Sequence, residues 1–68
     1  MPELILNGER RPFPDALTNL AALMTHLGYA GKRVAVEKNG DIVPRSQYAN
    51  TLLASGDALE IVVAVGGG

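Results

Sequence analysis

The chain has 68 residues, is 47% hydrophobic and carries a formal net charge of −1; that suits one folded domain and is too apolar for a disordered chain. Its lysines and arginines are scattered, so no basic stripe exists to engage nucleic-acid phosphates, and the absence of cysteine excludes disulfides, thiolate metal sites and a cysteine nucleophile. A domain this small buries only about 60% of the surface its unfolded chain exposes, which hardly leaves room for a deep, water-excluding active site.

The chain starts with a strand pattern. In Glu3–Asn7, Leu4 and Leu6 fall on one face and Glu3, Ile5 and Asn7 on the other. This run has neither the charged start nor the long apolar core of a signal peptide. Asn7-Gly8 is a hairpin turn signal, and the polar return segment Glu9–Phe13, ending at Pro14, reads as an edge strand. The period then changes. Leu17, Leu20, Ala21, Met24 and Leu27, widened by Leu23, recur at helical spacing over about three turns. Thr18 or Asp15 is the expected N-cap, and Gly28 stands where a left-handed C-terminal cap wants no Cβ.

Val34-Ala35-Val36 forms the centre of a third strand, Arg33–Lys38. Asn39-Gly40 turns it into Asp41-Ile42-Val43, and Pro44 ends that strand. Arg45–Asn50 has no clean period and reads as a loop with a single helical turn. After a turn at Gly56-Asp57, Leu59–Val65 is the strongest strand signal in the chain. Leu59, Ile61, Val63 and Val65 share one face of it; Glu60, Val62 and Ala64 share the other. No apolar run approaches the length of a membrane span.

A hairpin, a crossing helix, a second hairpin and a final strand fit an α+β two-layer domain. The expected fold is the β-grasp (ubiquitin-like) layout: a mixed four- to five-stranded sheet with one helix packed across one face. The ferredoxin-like alternative needs a second helix, which Arg45–Asn50 is too short to supply. The expected core is Leu4, Leu6, Leu20, Met24, Val36, Leu59 and Ile61. The expected division is a domain over 1–65 and a flexible tail over 66–68.

The informative feature is that tail. An apolar strand runs to Val65 and gives way to Gly66-Gly67-Gly68. A frayed end or a cloning linker would look the same. Glycine, however, lets a chain thread a narrow channel and present a terminal carboxylate to a remote active site. A carboxylate resists nucleophiles until it is activated. Forming a mixed anhydride with ATP makes AMP the leaving group and splits one hard step into two easier ones. A sulfur donor can then displace AMP and leave a thiocarboxylate. In a chain without cysteine, only a group outside the side chains could carry that sulfur.

Several stretches together resemble the ThiS family, the sulfur carrier proteins of thiamine biosynthesis. They are Leu6-Asn7-Gly8-Glu9, Val34–Glu37, Asn39–Gln47 with its Val43-Pro44-Arg45-Ser46 core, Gly56-Asp57, Glu60–Val62 and Ala64–Gly68. The sequence departs from the family pattern at Val63, where many relatives have histidine. The resemblance implies a protein cosubstrate, not an enzyme, with no bound cofactor or metal. An activating enzyme would consume ATP to adenylate Gly68, with Gly66 and Gly67 threading its active site. A cysteine desulfurase-type donor would supply sulfur, and thiazole synthase would take it from the Gly68 thiocarboxylate. Neither nucleic acid nor membrane is an expected partner, and a cytoplasmic location is expected because small secreted domains usually need disulfides.

The candidate docking surface is the face away from the helix. There Ile5 should meet Val62 and Ala64 beside the tail, with Arg45 binding a partner or capping a local carbonyl. His26 reads as a solvated helix-end residue, Asp57 as a turn carboxylate bonding nearby amides, and Tyr29 and Tyr48 as rings on the core margin. Three alternatives stay open. One is a carrier like the molybdopterin-synthase small subunit, which shares the Gly-Gly end. The others are a plain β-grasp binding module and a protein-conjugating modifier.

Overall fold

Alternation in the first strand sets the architecture. In the computed structural model, which describes residues 3–64, β1 (Glu3–Leu6) buries Leu4 and Leu6 and leaves Glu3 exposed. Asn7 and Gly8 then take positive φ values of 50° and 84°, as both central residues of a type I′ turn must. The chain returns as β2 (Glu9–Pro12), exposed along its length as an edge strand should be. The second hairpin repeats the device. β3 (Val34–Lys38) and β4 (Asp41–Val43) are joined by Asn39 and Gly40 at φ 52° and 88°.

β5 (Ala58–Val63) closes the sheet in its middle. The order is β2-β1-β5-β3-β4, with β5 parallel to β1 and antiparallel to β3. The helix α1 (Leu20–His26) covers one face. Leu20, Leu23 and Met24 from the helix meet Leu4, Leu6, Val36, Leu59 and Ile61 from the sheet. All seven residues expected in the core are buried. This is the five-stranded mixed sheet of the β-grasp layout.

The helix is shorter than its apolar spacing suggests. It has 7 residues, and its N-cap is Asn19, whose Oδ1 accepts from the Ala22 N–H at 2.8 Å; neither Thr18 nor Asp15 caps it. The cause is tertiary. Leu53 N–H donates to the Thr18 carbonyl at 3.0 Å and Leu20 N–H donates to the Thr51 carbonyl at 2.9 Å. Asn19 pairs with Leu52 and is extended at φ −134°. Residues 18 and 19 are thus used as a short strand, and the helix starts only after them. Its other end is as expected. Gly28, at φ 83°, donates to the Thr25 carbonyl and Tyr29 to the Met24 carbonyl, which is a Schellman cap.

Phe13 is a core residue that the polar pattern of its segment hides. It is 2% exposed, meets the His26 ring edge-on at 6.0 Å between centroids, and is covered by the Arg11 guanidinium at 5.5 Å. Arg45–Asn50 forms a 3-10 helix, and its Tyr48 packs, like Tyr29, on the margin of the core. The last strand, expected to run through Ala64 to Val65, ends at Val63, with Ala64 outside it; Val65 and the proposed tail over 66–68 lie outside the described residues.

Candidate functional site

β5 leads toward the glycine-rich end, so its surroundings form the candidate site. Strand backbone groups alternate sides. Asn39 N–H donates to the Ala58 carbonyl at 2.7 Å and Ala64 N–H donates to the Arg33 carbonyl at 3.0 Å, so even-numbered residues of this segment address β3. The odd-numbered ones address β1. Ile5 N–H donates to the Asp57 carbonyl at 2.9 Å and Asn7 N–H to the Leu59 carbonyl at 2.8 Å.

Two asparagine side chains finish this pairing, one from each Asn-Gly turn. The Asn7 amide takes the place that β1 would occupy if it continued. Its Oδ1 accepts from the Ile61 N–H at 2.8 Å and its Nδ2 donates to the Ile61 carbonyl at 3.3 Å. On the other flank the Asn39 Oδ1 accepts from the Ala58 N–H at 2.9 Å, while its Nδ2 donates to Asp57 Oδ1 at 3.0 Å. Asp57 is buried in the turn, where its Oδ2 also accepts from the Ala54 N–H at 2.8 Å, with Lys38 Nζ at 3.8 Å. Asp57 is therefore the turn carboxylate expected from sequence. The two side-chain clamps are not legible beyond the Asn-Gly turn signals themselves.

The proposed docking residues divide into two places. Val62 is 64% exposed and stands across from Ala35. With Ala64, Arg45, Lys32 and Arg33 it lines a shallow concavity of about 320 Å³. Arg45 itself caps a carbonyl, its Nη2 donating to Lys32 at 3.4 Å. Ile5 is elsewhere. The register pairs it with Ala58, and it sits half-buried in a second depression with Glu3, Arg10 and Ser55. The expected meeting of Ile5 with Val62 does not occur, because β5 outruns β1. Val62 is four residues past Ala58, about 13 Å along the strand, with Glu60 on the same face between them. Glu60 in turn stands directly opposite Glu37, a like-charged cross-strand pair that opposes sheet formation unless a cation answers it.

Val63, placed on the core face from sequence, is 38% exposed. His26 is exposed at the helix end. Gly66, Gly67 and Gly68 lie outside the described residues. Among the described residues no group of His, Asp and Glu is arranged to hold a metal ion, and no helix is long and apolar enough to cross a membrane.

The ThiS family model matches residues 4–68, from the first core leucine through the last glycine. The chain belongs to the ThiS family. A crystal structure of the thiamine biosynthesis protein ThiS from Geobacter metallireducens superposes with a TM-score of 0.81 at 32% identity, covering 97% of this chain and 99% of that one. A thiazole synthase of Paramagnetospirillum magneticum is 47% identical over 66 residues, which are 97% of this chain and 20% of that protein. The chain therefore spans about a fifth of the length of that relative. Protein ycf40 of Pyropia yezoensis is 38% identical over 64 residues and is covered over 87% of its length.

Proposed function

We propose that this chain, with Gly68 as its terminal residue, carries sulfur as a thiocarboxylate at Gly68 for thiazole formation. The observation that supports this most is that the family match spans residues 4–68, from the β-grasp core through Gly66-Gly67-Gly68. The chain has no cysteine, so its side chains offer no thiol for the task. An activating enzyme joins the Gly68 carboxylate to AMP, with pyrophosphate released from ATP. The outer sulfur of a persulfide on a cysteine desulfurase-type donor, released as hydrosulfide by a thiol reductant that is itself oxidised to a disulfide, then attacks the acyl carbon. The C–S bond forms, the bond to AMP breaks, and the chain leaves as the thiocarboxylate. The protein is the cosubstrate of both partner enzymes, and the work takes place in the cytoplasm.

Thiazole synthase is the acceptor that the relatives favour, since one of them joins a segment like this chain to that activity. Docking uses the exit end of β5, where Val62 and Ala64 offer apolar surface and Lys32, Arg33 and Arg45 a cationic rim. Ile5 contributes separately, through the depression at the other end of the sheet. Incubating the chain with activating enzyme, ATP and a sulfur donor should raise its intact mass by one oxygen-to-sulfur exchange at Gly68. An unchanged mass, with the enzyme active on another carrier, would remove the reading.

A further inference from the structure

The alternation along β5 has an end point on the β1 side. Leu59 is bonded there by the Asn7 backbone and Ile61 by the Asn7 side chain. The hairpin then turns away at Gly8 toward β2. Val63 is the next odd-numbered residue, so its N–H and C=O point the same way. Val63 opposes Val34 across the β3 ladder in a non-hydrogen-bonded position, because Ala64 N–H donates to Arg33 and the Val62–Ala35 pair takes the bonds on the other side. No described residue bonds the Val63 backbone on its outer side, and its side chain is 38% exposed.

An unpaired N–H and C=O on one strand edge are complementary to one thing above all, another extended backbone. From this geometry we infer that a strand of thiazole synthase adds to β5 at Val63, on the edge that β1 vacates and Asn7 terminates. The inference rests on the carrier role proposed above.

Two arguments choose this occupant over a second copy of the chain. Val63 is five residues before Gly68, a span of at most about 17 Å when extended. An enzyme that holds the Gly68 carboxylate in its active site therefore has its own surface within reach of Val63. The open edge is also too short to hold a partner by itself, since even a complete two-stranded ribbon is marginal in water. It can act only inside a larger interface, which the enzyme supplies and a lone copy does not. The added strand would fix the direction in which the last residues leave the sheet, which is what delivery into a deep site requires.

The test uses the full chain, labelled for amide exchange, with and without purified thiazole synthase. In the free protein the Val63 amide should exchange rapidly while Val62, bonded to β3, exchanges slowly. Saturating synthase should slow Val63 at least tenfold. Val63→Pro removes only the outward donor, at an edge position where proline is tolerated, and should weaken binding to the synthase about tenfold. The fold should persist, as circular dichroism would show. Exchange at Val63 that is equally fast in the complex would overturn the inference. So would protection that appears in the free chain at high concentration and fades on dilution, which would assign the edge to a second copy. A wild-type chain that forms the thiocarboxylate while Val63 stays unprotected would remove the strand addition alone. Absence of both thiocarboxylate and synthase binding would remove the carrier reading with it.

Discussion

At its entry β5 is walled in on both flanks. Ile5 bonds the Asp57 carbonyl from β1, Asn39 bonds Ala58 from the turn after β3, and the buried Asp57 is tied to both Asn39 and Ala54. At its exit the same strand has β3 on one side only, and its side chains Val62 and Val63 are exposed. The same clamp device, an asparagine at left-handed φ, serves both ends, but at the entry it joins a closed network and at the exit it is the last bond on its flank. The contrast shows a strand whose first half stores stability and whose second half is left available.

The largest effect should come from the end nearest the glycines. Replacing Gly67 with Val should abolish adenylation by the activating enzyme and leave the thermal midpoint unmoved, because a β-branched side chain blocks a narrow channel and glycine-only dihedrals. A pyrophosphate-release assay beside a melting curve checks both halves.

Ile61→Ala in the middle of β5, or Leu20→Ala opposite it, should cost about 2–5 kcal/mol in urea unfolding, whereas Val63→Ala two residues on should cost under about 0.5 kcal/mol. Comparable losses at 61 and 63 would erase the distinction between the two halves.

The clamps should differ by less. Glycine keeps the positive φ at either asparagine, so Asn7→Gly and Asn39→Gly isolate the lost side-chain bonds. Asn39→Gly should cost about 1–3 kcal/mol because it strips a partner from the buried Asp57, and Asn7→Gly about 1 kcal/mol, since it removes neutral bonds to backbone groups and leaves no charge unpartnered. Equilibrium unfolding of the two variants side by side measures the difference.

The smallest stability effect belongs to Val62→Asp, within about 0.5 kcal/mol, yet affinity for thiazole synthase in titration calorimetry should fall several-fold. Unchanged affinity would move the docking surface away from the exit of β5.

Much of this was legible in the sequence because local and tertiary preferences agree. Asn-Gly at 7–8 and 39–40 gave both hairpins, and the alternation of Leu59 and Ile61 gave the buried face of β5. Gly28 marked the helix end correctly. The helix start was not legible, because the pairing of Thr18 and Asn19 with residues 51–53 involves partners more than thirty positions away. Phe13 was hidden by the arginines and proline before it. The separation of Ile5 from Val62 needed the register: knowing that the first and last strands are neighbours does not reveal that one ends two bonds earlier. The glycine tail was the clearest functional signal, and its placement lies outside the described residues.

The position of β5 has a consequence for how the protein is made. It is the central strand of the sheet and the last in chain order of the described elements, and its flank beside β1 and the following turn joins residues 54 positions apart, as the Asn7–Ile61 bonds show. Neither hairpin can complete the core alone, so a growing chain on the ribosome holds two half-sheets and a helix with no common seam until residues 58–63 emerge. Such distant pairing makes folding slow for a domain of this size. A chain broken off before β5 therefore stays open to proteases, and a folded one has been translated at least through residue 63.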